Sequence, residues 1–68
     1  MSYTIQVGDR FYDDLEGRYI TVKKIGSGQI TAYCEVLELD MDTTKPDPYH
    51  QHFNISDLLQ YQYMGDGK

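Results

Sequence analysis

The sequence predicts a mainly β fold: a small, bent, five-stranded sheet curling toward a barrel, with one short helical turn before the last strand. Three observations carry that reading. Apolar and polar side chains alternate in "YTIQV", "RYITVKKI" and "ITAYCEV", the period of a half-buried strand. Turn residues separate these stretches: Gly8-Asp9, the polar run "DDLEG", and Gly26-Ser27-Gly28. The alternation also slips at two places, as strands of a flat sheet do not.

The first strand is expected at Tyr3 to Val7, with Tyr3, Ile5 and Val7 on one side. Gly8-Asp9 turns the chain, and "RFYD" (Arg10 to Asp13) continues extended. Asp13 to Gly17 forms a polar turn with Leu15 tucked beneath it. Arg18 to Ile25 is the second strand, rich in β-branched and aromatic residues.

The first slip lies at Lys23-Lys24. With Gly26 to Gln29 as the loop, Ile25 faces Ile30. An unbroken register would then set Val22 against Tyr33 and Ile20 against Glu35, mixing charge into an apolar face. If Lys23 and Lys24 together oppose Thr31, Val22 meets Ala32 and Ile20 meets Cys34. Two residues against one is a β-bulge, which bends the strand and increases its twist.

The third strand is expected from Ile30 to Met41. Ile30, Ala32, Cys34 and Val36 share one face, whereas Leu37, Leu39 and Met41 share the other. Such a change of buried face marks a bulge or a corner between sheets. "DTTKPDP" (Asp42 to Pro48) is a loop, its prolines barring regular pairing. Tyr49 to Phe53 returns as a strand. Setting Met41 against Tyr49 places Leu37 against Phe53, Asp40 against His50 and Glu38 against His52. "NISDLLQ" is a helical turn capped by Asn54 or Ser56, with Asp57 near its positive end. Tyr61 to Met64 closes the sheet, and residues 65–68 form a flexible tail.

A chain of 68 residues is expected to form one domain, residues 1–68. At that size only about 60% of the unfolded surface is buried. Most apolar side chains must join one core, so shallow recognition is easier to build than an enclosed cavity. A single cysteine, Cys34, excludes an intrachain disulfide. "MSYTIQVGDR" has neither the basic nor the apolar part of a signal peptide, and no run reaches the roughly 18 apolar residues of a membrane span. A cytoplasmic location and no membrane partner are therefore expected. The net charge of −5 repels a phosphate backbone, and Lys23-Lys24 is the sole adjacent pair of cations.

"GDRFYD", "GRYITVKKI" and "FNISDLLQYQYMG" resemble the small SH3-like β-barrel proteins of phages and bacterial mobile elements. The resemblance spans about Tyr3 to Met64 and rests on strand order and turn placement. It implies an SH3-like barrel. Such barrels serve as adaptors, nucleic-acid binders, subunits and inhibitors, so the fold alone does not choose among them. No "ALYDY"-type stretch and no tryptophan occur, so proline-peptide binding is not implied.

Four constellations bear on chemistry. His50 and His52, with Glu38 and Asp40, have the donor types of a zinc patch. The simpler reading, two histidines paired with carboxylates across strands on a wet face, is preferred, and no metal is assigned. Asp40 to Gln51 begins like a calcium loop but has Lys45 where glycine is needed and Gln51 where a bidentate glutamate is needed. Cys34 points inward beside Ile20 and reads as a small buried apolar residue. Gly26 to Gly28 lacks the lysine and helix of a phosphate loop. No cofactor and no enzymatic activity are expected.

The binding candidates are Tyr12, Tyr19, Tyr33, Tyr61 and Tyr63, tyrosine being favoured at recognition surfaces. The acidic loop adds Asp40, Asp42 and Asp47. Together these suggest a small acidic protein-interaction module with a protein partner, in the phage setting a modulator or inhibitor of a host protein. The alternatives are a nucleic-acid-binding barrel using Tyr19, Tyr33, Lys23 and Lys24, for which the charge is unfavourable, and a structural homo-oligomer subunit.

Overall fold

A computed structural model describes residues 4–38 and 48–65. It is mainly β, with five antiparallel strands in one sheet: β1 (Arg10–Asp13), β2 (Arg18–Ile25), β3 (Thr31–Glu38), β4 (Tyr49–Asn54) and β5 (Gln62–Tyr63). The order across the sheet is β4-β3-β2-β1-β5, so β4 and β5 are its edges. A single helical turn, α1 (Ile55–Leu58), joins β4 to β5.

The expected strand at Tyr3 to Val7 is not formed among residues 4–7. Ile5 is buried, but Val7 is exposed, so the alternation there does not mark one buried face. Asp9 makes the segment a turn instead. Its N–H donates to the Gln6 carbonyl, and its carboxylate accepts the Gln6 N–H at 2.9 Å. Gly8 N–H and the Asp9 carbonyl then bond Val22 across the top of β2.

The turn after β1 is built by Asp13. Its Oδ1 accepts the N–H groups of Leu15 and Glu16, and Gly17, at φ 67°, closes onto the Asp13 carbonyl. Every polar group of the turn's inner side is thereby used locally. Leu15 is not tucked beneath it but 93% exposed. A turn held by an aspartate beneath it has no space left for an apolar side chain there.

The bulge lies where the sequence places it. Val22 pairs with Cys34 and Lys24 with Tyr33, leaving Lys23 as the extra residue. The partners differ from expectation by two positions: Ile20 opposes Val36, and Ile25 opposes Ala32. The loop is longer than a minimal turn, with Gly28 and Gln29 in the left-handed region at φ 79° and 57° and Ile30 outside the strand. A shift of two preserves the faces. Ile20 and Val22 therefore point inward together, as do Ala32, Cys34 and Val36, all fully buried.

The β3–β4 register differs by an odd number, which turns β4 over relative to β3. Phe53 opposes Ala32 rather than Leu37, and Tyr49 opposes Val36 rather than Met41. The error came from fixing the pairing on Leu37, Leu39 and Met41. The buried residues of β3 are instead Ala32, Cys34 and Val36, and they recruit Phe53. Positions 39–47, including the proposed change of face at Leu39 and Met41, lie outside the described residues, as do Tyr3 and residues 66–68.

One core results. Ile5, Phe11, Ile20, Val22, Ala32, Cys34, Val36, Phe53 and Leu58 form it, with Ile25, Tyr49, Ile55 and Tyr61 packed against it. Leu58 from α1 and Ile5 from the leading segment belong to the same cluster as the inward side chains of the sheet. Among the described residues, no helix or second sheet packs on the other face of the sheet. No helix among the described residues is long and apolar enough to cross a membrane.

Candidate functional site

The open face follows from strand alternation. Residues between the buried positions are Arg10 and Tyr12 on β1, Tyr19 and Thr21 on β2, and Tyr33, Glu35 and Leu37 on β3, with His50 and His52 on β4. Tyr19 opposes Leu37, Thr21 opposes Glu35, and Arg10 opposes Thr21. These residues and Pro48 line a shallow groove of about 390 Å³. Tyr19, Leu37 and Pro48 supply most of its apolar lining. Arg10 and Glu35 supply one charge of each sign.

Two aromatic groups flank this groove. On one side the Tyr12 and Tyr19 rings pack at 4.9 Å between centroids, and the Arg10 guanidinium sits 5.8 Å from the Tyr19 ring centre. On the other, Tyr33 stacks with His50 at 5.3 Å, nearly parallel, and packs against His52 at 4.8 Å. Cross-strand contact explains both: Tyr12 opposes Tyr19, while Tyr33 opposes His52 and lies two positions from the Glu35–His50 pair, on the same face. Lys23, the bulged residue, reaches Glu35 at 3.5 Å.

Of the candidate binding residues, Tyr12, Tyr19 and Tyr33 share the open face. Tyr61 and Tyr63 lie elsewhere. Tyr63 opposes the buried Phe11, with ring centroids 5.7 Å apart, and its hydroxyl is 3.5 Å from Asp9 Oδ1. Tyr61 follows α1 and packs on the core beside Arg18. Asp40, Asp42 and Asp47 lie outside the described residues.

The paired-carboxylate arrangement for the histidines changes with the register. His52 faces Tyr33, not Glu38, and His50 faces Glu35, not Asp40. The Tyr33 ring contacts both imidazoles. Among the described residues no three His, Cys, Asp or Glu side chains are grouped to hold an ion. Cys34 is fully buried, and desolvation pushes its thiol pKa up to about 11, which keeps it protonated at neutral pH.

A polar network that sequence reasoning missed lies on the core side. The Asp13 carboxylate, 3% exposed, holds Arg18 Nε at 3.0 Å. Arg18 Nη1 donates to the Tyr49 hydroxyl at 3.4 Å, and that hydroxyl donates to Glu38 Oε2 at 2.7 Å. Burial works against the Arg18 charge, but bonds to Tyr49, Asp13 and Tyr61 outweigh it and raise the pKa further. The hydrogen bond to Glu38, followed by burial, raises that of Tyr49. The guanidinium also lies 5.4 Å from the Phe53 ring centre. The network ties β1, β2, β3 and β4 together at one end of the core, so its role is structural. The signal for it was an aspartate opening and an arginine closing the turn "DDLEGR".

The chain matches no family model, no curated protein and no solved structure.

Proposed function

We propose that this chain is a small acidic protein-interaction module that binds a larger protein through the open face of its sheet. The groove lined by Arg10, Tyr19, Thr21, Glu35, Leu37 and Pro48 carries the reading. It combines an aromatic and aliphatic lining with one charge of each sign, the composition that favours protein recognition. It is too shallow to enclose a substrate but suits a short peptide segment or a protruding side chain. The strand order, with a helical turn immediately before β5, supports the finer fold proposal of an SH3-like barrel. In the setting that the phage resemblance implies, the partner is a host protein whose activity the module modulates.

Nucleic-acid binding is less well supported. Stacking needs free ring faces. Tyr33 is already packed on His50 and His52, and Tyr19 on Tyr12 and Arg10. Lys23 is engaged with Glu35, and the net charge is −5.

The test is capture from a bacterial lysate by immobilised protein, run in parallel with Tyr19→Ser, Leu37→Asp and the distal control Leu15→Ser, each shown by circular dichroism to fold. A specific protein retained by the wild type and by Leu15→Ser, but lost by both groove variants, is the expected result. Retention unchanged in the groove variants, or no specific protein at all, would reject the proposal.

A further inference from the structure

The two edges of the sheet are treated differently. β5 has only two residues, a length that offers little to pair with. β4 has six, "YHQHFN", and contains no lysine, arginine, aspartate, glutamate or proline. Charges, prolines and bulges are the usual devices that prevent an edge strand from pairing. Among the described residues this edge has none of them.

Which backbone groups it presents can be worked out. The Ile55 N–H donates to the Ile30 carbonyl at 2.9 Å, so Ile55 faces β3. On the β2 side of β3, the Gly26 N–H donates to the Thr31 carbonyl. Orientation alternates along a strand. Ala32, Cys34 and Val36 therefore bond toward β4, and Phe53, Gln51 and Tyr49 bond back to them. The N–H and C=O groups of His50 and His52, and the N–H of Asn54, point to the free edge.

We infer that this edge pairs with the same edge of a second copy, antiparallel, about a two-fold axis through His52. His52 then exchanges both backbone bonds with His52 of the second copy. The Asn54 N–H meets the His50 carbonyl, and the symmetry repeats that bond on the other side. The choice of a second copy rests on this self-complementarity, with the same residues serving as donors and acceptors in both directions. Each chain carries −5, but the paired strand itself contains no lysine, arginine or carboxylate side chain to set like charges against each other. Pairing through three outward residues of each strand is a small contact beside the roughly 1,200–2,000 Å² of stable interfaces. The dimer therefore forms at micromolar concentrations or above, and salt, by screening the like net charges, strengthens it.

The experiment is sedimentation velocity from about 10 µM to about 1 mM, at low and moderate salt, on the wild type and three variants. His52→Pro removes an outward N–H and the imidazole packed on Tyr33 but none of the β3–β4 backbone bonds, so the monomer folds. His52→Lys sets like charges against each other at the two-fold axis. His52→Cys brings two thiols together across a hydrogen-bonded antiparallel pair, about 5.5 Å between Cα atoms, which suits a disulfide. The expected results are a concentration-dependent dimer for the wild type and at least a tenfold loss of association for His52→Pro and His52→Lys. His52→Cys should give a covalent dimer on mild oxidation, whereas His50→Cys should not. A wild type that stays monomeric at 1 mM would overturn the inference, and so would a dimer unaffected by His52→Pro or not cross-linked through His52→Cys, which would place pairing at another edge.

Discussion

Replacing Asp13 by alanine removes three interactions at once: the caps on the Leu15 and Glu16 N–H groups, at 3.2 and 3.3 Å, and the ion pair with Arg18 at 3.0 Å. The two caps are long, so each contributes about 0.5–1 kcal/mol. The ion pair is charge-assisted and both side chains are largely out of water, 3% and 16% exposed, so solvent screens it little; about 1.5–2.5 kcal/mol is reasonable. The sum is roughly 2.5–4.5 kcal/mol. A domain of this length has a total stability of only about 3–10 kcal/mol. The expected drop in Tm is about 10–35 °C, at roughly 4–8 °C per kcal/mol. Asp13→Asn keeps an acceptor for the turn and loses the charge, so about 1.5–2 kcal/mol is expected. Urea denaturation measures both, and a double-mutant cycle with Arg18→Met isolates the pair, with an expected coupling of at least about 1 kcal/mol. A loss below about 1 kcal/mol for Asp13→Ala, or no coupling to Arg18, would refute the assignment of this network as the tie across the end of the sheet.

Other expectations follow from the same geometry. Leu58→Ala deletes a fully buried side chain and should destabilise by about 2–4 kcal/mol, whereas Leu15→Ser, at an exposed turn tip, should stay within about 0.5 kcal/mol in the same urea assay. Gln29 sits at φ 57°, so Gln29→Gly should raise stability by about 0.5–1 kcal/mol, read as a higher midpoint; a fall would contradict the assigned backbone. Gly26→Ala should do the opposite, because a Cβ there would lie 2.8 Å from Thr31 Oγ1 and 3.2 Å from the Thr31 carbonyl oxygen. Cys34, buried and protonated at neutral pH, should resist a thiol reagent in the native protein and react promptly in denaturant; fast native reaction would show that the hairpin is not packed as described.

The hairpin was legible because its signal is local. Lys23-Lys24 interrupts an otherwise clean alternation, and only an extra residue restores an apolar inner face. The two-position error in its register came from placing the loop at Gly26 to Gln29, when Gly26 bonds Thr31 and the loop is Ser27 to Ile30. The β3–β4 pairing was not legible because it joins strands across a long loop. Nothing in the sequence says which of two apolar sets on β3 meets Phe53, and an odd shift exchanges the faces. The metal-like grouping of His50 and His52 with Glu38 and Asp40 depended entirely on that register. Tyr12, Tyr19 and Tyr33 were found because alternation alone puts them opposite Ile20 and Cys34. Tyr61 and Tyr63 were misgrouped with them because the side of the sheet that a two-residue closing strand presents depends on where α1 delivers it. Asp9 and Asp13 were read as turn residues, but their burial depends on contacts with the far strands.

The central claim is that recognition occurs on the open face, at the groove between Tyr19 and Leu37. The most direct measurement is residue-resolved NMR of the labelled protein during titration with its captured partner. The account predicts that the largest shift changes fall on Arg10, Tyr19, Thr21, Glu35 and Leu37, with Tyr12 and Tyr33 at the margin. Changes concentrated instead around Leu15, Gln60 and Tyr61, with the groove residues unmoved, would contradict it.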